Sequence, residues 1–204
     1  MYSFIKRWID FLLALIALIL LSPVMLALAL IIKVDSKGPV FFLQRRVGKN
    51  KKHFNIIKFR TMRTETPKDM PTHMLQNPAG FITKTGKFLR KSSLDELPQI
   101  INILKGEMSF VGPRPALWNQ DDLIAERDIY GANNICPGLT GWAQINGRDE
   151  LPIDIKAKLD GEYVKRMGLR FDSLIVFKTF VSVIKSDGVR EGTTATKEKQ
   201  HLSR

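Results

Sequence analysis

The chain has 204 residues, 32 Lys or Arg against 20 Asp or Glu, for a formal net charge of +12. Apolar residues make up 44%, enough for a core and too many for a disordered chain. A single cysteine, Cys136, excludes an internal disulfide framework and a Cys-based zinc cluster. His53, His73 and His201 are scattered, with no ligand spacing. The positive charge points to anionic partners: nucleic acid, anionic lipid or phosphorylated substrates.

The apolar residues are unevenly spread. Phe11 to Ile32 is a run of 22 residues without a charge. As a helix it measures about 33 Å, enough for a hydrocarbon core about 30 Å thick. A buried helix of a soluble domain would show a polar stripe or be shorter. A cleaved signal peptide is opposed by Asp10, which abuts the run, and by the run's continuation past Ala27-Leu28-Ala29. Ser22-Pro23 sits in mid-run. The proline removes one intrahelical hydrogen bond, and the serine is placed to satisfy a freed carbonyl. Residues 1–10 carry Lys6 and Arg7, while residues 33–52 carry seven Lys/Arg. A straight span puts the seven-charge side in the cytoplasm and carries Lys6 and Arg7 across. A hairpin at Ser22-Pro23 keeps both basic ends at the cytoplasmic surface. The residues alone leave both arrangements open.

Residues 36–63 hold nine Lys/Arg and no Asp/Glu. Val40 to Arg46 and His53 to Phe59 read as two strands of a hairpin around Gly48-Lys49-Asn50-Lys51. Strand alternation puts Phe54, Ile56 and Lys58 on one face and Asn55, Ile57 and Phe59 on the other. Residues 64–80 read as a loop. Thr83 to Lys91 reads as a short basic helix, and residues 99–106 as a helix ended by Gly106. Val111 to Pro115 is expected as a rigid extended loop, and Leu117 to Ile129 as a polar helix. Pro137 to Arg148 reads as a second loop, and Asp154 to Lys165 as a helix. Leu169 to Lys185 is an apolar helix suited to a membrane surface. The last eighteen residues are polar and irregular.

Ser93-Leu94-Asp95-Glu96 fits a capping box, in which Glu96 bonds back to the N-cap amide and Asp95 favours the helix dipole. Its neighbours, Lys87, Arg90, Lys91 and Arg114, favour a chemical reading. Adjacent carboxylates among cations hold a divalent ion and a phosphorylated substrate together, and Asp is an established nucleophile on phosphorus. Pro113-Arg114-Pro115 holds an arginine on a stiffened backbone, suited to bidentate phosphate contact or simply a surface turn. The glycines of residues 138–147 admit backbone N–H groups to an anion or only make tight turns. No Walker motif, G-x-G-x-x-G or HExxH occurs.

Taken together, the motifs make the sequence recognisable. They are Lys6-Arg7 with Asp10-Phe11, Ser22-Pro23, Gly38-Pro39-Val40-Phe41, Lys58-Phe59-Arg60-Thr61-Met62, and Arg90 through Gln99. Asn102 through Pro115 and Pro137 through Arg148 complete the set. In these the chain resembles the monotopic polyprenyl-phosphate phosphoglycosyl transferases, the bacterial sugar transferase family, from about Lys6 to Gly192. The resemblance implies transfer of a phosphosugar from a UDP-sugar to undecaprenyl phosphate with release of UMP, the first membrane step of a surface glycan. It implies Asp95 as the nucleophile, forming a covalent aspartyl-phosphosugar, and Glu96 as its acidic partner. Mg²⁺ is the implied cofactor, held in part by Asp95. Lys58, Arg60, Arg90, Arg114 and Arg148 fall at positions suited to phosphate neutralisation, Lys58 and Arg114 foremost.

The implied fold is α+β and mostly helical. A re-entrant membrane helix broken at Ser22-Pro23 occupies residues 1–36, and a catalytic domain with a small β-hairpin and amphipathic interfacial helices occupies residues 37–186. A polar tail covers 187–204. The implied location is the cytoplasmic leaflet of the bacterial inner membrane, with the catalytic domain in the cytoplasm and no nucleic-acid partner. A membrane-anchored basic binding protein would explain the charge and the anchor, but not Asp95-Glu96 among basic residues.

Overall fold

A computed structural model describes residues 2–67, 80–147 and 151–184. Arg148, the 187–204 tail and most of the 64–80 loop lie outside the described residues. The described part is mostly helical, with two small two-stranded sheets.

Tyr2–Asp35 forms one helix of 34 residues, α1, long and apolar enough to cross a membrane. The expected break at Ser22-Pro23 is not an interruption: the helix continues through Pro23. Proline leaves the carbonyl four residues back, that of Ile19, without its donor. Ser22 Oγ donates to that carbonyl at 2.8 Å, the role expected of it.

One side of α1 is wall to two cores. Ala14 packs with Phe54, Ile56, Ile100, Ile103 and Met108. Met25, Leu28 and Ile32 pack with Phe59 and Leu89. Phe4, Trp8, Leu12, Ile16, Leu20 and Leu26 remain exposed. Polar tethers hold both ends. Tyr2 and Lys6 donate to Asp172 Oδ2 at 2.7 and 2.6 Å. Arg7 donates to the Ile103 and Leu104 carbonyls at 2.6 and 2.7 Å. At the far end, Asp35 accepts from the Thr85 amide at 3.2 Å.

Strands β1 (Phe41–Val47) and β2 (His53–Phe59) form the predicted hairpin, antiparallel, with Phe41 opposite Phe59 and Val47 opposite His53. Asn50 and Lys51 take left-handed backbone at its tip. Alternation along β2 sends Phe54 and Ile56 into one core and Phe59 into the other. Helix α2 (Lys84–Ser92) is capped by Thr83, whose hydroxyl accepts from the Gly86 amide at 2.9 Å. A Cβ on Gly86 would lie 2.0 Å from the Thr61 carbonyl oxygen, so only glycine admits this approach. Helix α3 (Gln99–Lys105) ends, as predicted, at a left-handed Gly106.

The second half departs further from expectation. Strands β3 (Ser109–Val111) and β4 (Gly138–Thr140) pair in parallel, Ser109 opposite Gly138. Helix α4 (Asp121–Ile129) starts later than expected, because Leu117 is buried and bridges to Arg46 of β1. The expected glycine-rich loop holds β4 and a short helix, α5 (Trp142–Ile145). A Cβ on Gly138 would meet the Gly112 nitrogen at 2.1 Å, and one on Gly141 the Gly112 oxygen at 2.1 Å. Backbone packing is thus what these glycines permit. Helices α6 (Ile153–Arg166) and α7 (Leu169–Ile184) follow.

Arg127 of α4 and Asp160 of α6 form an ion pair of 2.6 Å with side chains 4% and 1% exposed. Breaking a buried pair from one side strands the other charge. Asp160→Asn is therefore expected to destabilise the protein by about 3 kcal/mol. Replacing both, Arg127→Met with Asp160→Leu, should lose clearly less, as thermal unfolding in detergent would show.

Candidate active site

Asp95 and Glu96 stand together in a single 3-10 turn, Leu94–Glu96, between α2 and α3. Ser93 is left-handed, at φ +57°, and its hydroxyl makes no cap bond. The capping box therefore does not form. Glu96 Oε1 instead accepts from Lys58 Nζ at 2.7 Å and from Arg114 Nη2 at 3.0 Å.

Three separate segments deliver the cations. Lys58 comes from β2, one residue before its end. Arg90 comes from the last turn of α2. Arg114 sits on the loop after β3, which is held on two sides. Gly112 N–H bonds to the Thr140 carbonyl at 2.9 Å, and Gly138 N–H to the Pro113 carbonyl at 2.9 Å. From β1, Arg46 Nη1 donates to the Pro115 carbonyl at 2.9 Å. The stiffness expected of Pro113-Arg114-Pro115 thus comes from hydrogen bonds as well as from proline.

The two carboxylates differ electrically. Burial works against the charge of Glu96, but Lys58 and Arg114 outweigh it and hold this carboxyl well below the usual range. For Asp95, burial dominates and Glu96 adds to it. Lys58, Arg90 and Arg114 oppose that rise only in part, so Asp95 lies above its ordinary value. The site holds a fixed anion that organises cations, next to a second carboxylate of raised basicity.

Two other sequence-predicted residues do not join this group. Arg60 is buried and donates to the Lys37 carbonyl at 2.6 Å and the Ser36 carbonyl at 2.7 Å. It clamps the chain leaving α1, and these bonds hold it apart from the Asp95–Glu96 cluster. Gly38, at φ +124°, makes room for it, since a Cβ there would lie 2.1 Å from Arg60 Nη1. Arg148 lies outside the described residues. Among the described residues no group of three or more His, Cys, Asp or Glu gathers to hold a metal alone. A hard cation here would take one or two carboxylates, Asp95 first, and complete its shell with water and substrate phosphate.

The sequence reading missed the supports behind Arg114. Tyr163 OH lies 3.0 Å from the Val111 carbonyl oxygen and 2.9 Å from Asp172 Oδ1. Asp10 accepts from the Phe110 amide at 3.3 Å. One signal was available: Asp172 is the lone acid in the apolar stretch that became α7.

The chain that builds this cluster belongs to a known family. A model of the bacterial sugar transferase family matches residues 1–186, and the chain is a member of that family. It is 43% identical over 194 residues to a UDP-N-acetylgalactosamine-undecaprenyl-phosphate N-acetylgalactosaminephosphotransferase of Aeromonas hydrophila, covering 93% of this chain and 46% of the relative. It is 42% identical over 183 residues to the UDP-glucose:undecaprenyl-phosphate glucose-1-phosphate transferase of Escherichia coli, covering 86% and 39%. The chain thus spans less than half the length of these two relatives. Against the uncharacterized sugar transferase EpsL of Bacillus subtilis it is 37% identical over 195 residues, covering 96% and 95%.

The opposite shifts of the paired carboxylates have opposite consequences for stability. Glu96 has a folded value below its unfolded one of about 4.3, so its ionised form stabilises the fold above that pH. That contribution is lost as pH falls through the folded value. Asp95 has a folded value above its unfolded one of about 3.9, so its contribution is present below that pH and lost as pH rises through the folded value. Ionised Asp95 is therefore a net cost at neutral pH. At pH 7, Asp95→Asn should raise Tm and Glu96→Gln should lower it, as read by thermal unfolding in detergent.

Proposed function

We propose that this chain transfers a phosphosugar from a UDP-sugar to undecaprenyl phosphate, with Asp95 as the nucleophile. A carboxylate oxygen of Asp95 attacks the β-phosphorus, the bond from that phosphorus to the bridging oxygen breaks, and UMP leaves with the bridging oxygen. An oxygen of undecaprenyl phosphate then attacks the same phosphorus, releasing Asp95 and giving the undecaprenyl-diphosphate sugar. The observation that carries this reading is the Asp95–Glu96 pair inside a cluster of three cations, Lys58, Arg90 and Arg114.

The cluster suits the chemistry. Two anionic substrates must meet an anionic nucleophile, and preorganised positive charge lowers that barrier. Glu96 keeps Lys58 and Arg114 in place before substrate arrives, so little reorganisation remains for the reaction itself. The raised basicity of Asp95 makes it a better nucleophile than an ordinary carboxylate. Mg²⁺ held at Asp95 would further neutralise non-bridging phosphate oxygens. A membrane-anchored basic binding protein needs no such pair.

The acceptor lipid places the reaction at a membrane, and we assign α1 a re-entrant path in the cytoplasmic leaflet of the inner membrane. The contacts of α1 support this. Tyr2, Lys6 and Arg7 at one end and Asp35 at the other touch the same globular body, which favours a path with both ends on one side. The exposed Val176, Phe177 and Phe180 of α7 suit a helix lying at the interface.

Asp95→Asn is expected to lower UMP release from detergent-solubilised protein, UDP-sugar, Mg²⁺ and undecaprenyl phosphate by about a thousandfold or more, the scale of a lost covalent catalyst. Intact-protein mass spectrometry with UDP-sugar alone should show a phosphosugar adduct on the wild type and none on the variant. A near-normal rate in the variant would sink the reading.

The topology has its own check. In a Cys136→Ser background, Ser3→Cys and Lys49→Cys should both react with an impermeant thiol reagent from the cytoplasmic side only. Labelling of position 3 from outside would replace the re-entrant path with an ordinary span.

A further inference from the structure

Among the described residues strand β2 has one partner, β1, so its other edge would present bare backbone groups. Residues Asn55 and Ile57 lie two apart on that edge, one offering a carbonyl and the other an N–H in the same direction. Asn102, fully buried on α3, meets both. Its Oδ1 accepts from the Ile57 amide at 3.0 Å, and its Nδ2 donates to the Asn55 carbonyl at 2.8 Å. The second Nδ2 hydrogen goes to Glu107 Oε2 at 2.7 Å. One carboxamide therefore does the work of a neighbouring strand, with both amide hydrogens and the oxygen engaged.

The place of this grip matters more than its strength. Ile57 precedes Lys58 in β2. Asn102 stands on α3, which begins three residues after Glu96. Asn102 thus joins the segment that carries the cation to the segment that follows the acidic pair. A slip of one residue in a strand turns its side chains to the opposite face. Phe54 and Ile56 pack on Ile100 and Ile103 of α3, and Asn102 adds a directional polar grip to that contact.

We propose that Asn102 is a positioning residue, which sets Lys58 against Glu96 by pinning the free edge of β2 to α3. Its effect on Lys58 stands by itself; its effect on turnover rests on the reaction proposed above.

The test uses the full chain in detergent. Lysines are acetylated with a limiting N-hydroxysuccinimide ester, and each site is followed by peptide mass spectrometry. Lys58 and Lys6 are both poorly exposed and ion-paired, at 15% and 11%, so Lys6 is an internal control for general loosening. In Asn102→Ala, Lys58 should react about tenfold faster, which corresponds to about 1.4 kcal/mol of lost protection, while Lys6 keeps its wild-type rate. Glu107→Ala, which removes only the second partner of Nδ2, should act in the same direction to a smaller extent and serves if Asn102→Ala does not fold. Unchanged Lys58 reactivity in a folded variant, or a rise in Lys6 by the same factor, overturns the proposal.

UMP release supplies the second arm. If Asn102 acts through Lys58, the double variant Asn102→Ala with Lys58→Met should be no slower than Lys58→Met alone. Losses that multiply overturn the positioning role. Wild-type protein that releases no UMP would instead overturn the reaction, leaving the lysine result to stand.

Discussion

The site depends on a single shared contact: one oxygen of Glu96 held by both Lys58 and Arg114. The two cations arrive on segments remote in sequence, a strand near the anchor and a loop after β3. Like charges brought this close repel, and without an anion between them each would turn toward water. Glu96 makes their approach favourable, and leaves its neighbour Asp95 in a positive field that it does not itself neutralise. The division of labour between two adjacent carboxylates follows from which one accepts the cations' hydrogen bonds.

That contact in turn requires the anchor. Helix α1 is part of the domain's interior as well as its attachment. It lines two of the apolar cores, its Asp10 bonds to the strand that leads to Arg114, and its first turns meet Asp172 beside Tyr163. Arg60 and Gly38 fasten its other end. The catalytic body has no separate floor of its own on that side. A change in how α1 is seated would therefore reach the Arg114 loop through Phe110 and Val111, by direct contact.

Much of this was legible in the sequence. The hairpin, α2, α3 and α6 lie within a residue or so of their expected limits, because periodicity and turn residues agreed there. Asp95, Glu96, Lys58, Arg90 and Arg114 do converge. What escaped has physical reasons. Strands β3 and β4 are too short for alternation to show, and their glycines are explained only by the partner backbone that presses on them. Leu117 looked like the first turn of a helix because its bridge to Arg46 is not local. The motif around Arg60 gives no sign that the Ser36 and Lys37 carbonyls hold it. The capping box was locally consistent, and distant cations overrode it. Local patterns predicted elements well and failed wherever a contact across the chain decided the outcome.

The Tyr2–Asp172 contact joins residues 170 apart in the chain, and this has a consequence for biosynthesis. The ribosome delivers α1 well before α7. Throughout elongation the apolar helix is already available to lipid while its buried partners are still unmade. Lys6, poorly exposed in the finished protein, must wait in contact with water or headgroups until Asp172 emerges. On the membrane path proposed for α1, anchoring precedes assembly, and the rest of the body closes against a helix already seated in lipid. On that path the membrane is the surface on which the protein is put together, and without it the fourteen exposed large apolar side chains of α1 would stand in water.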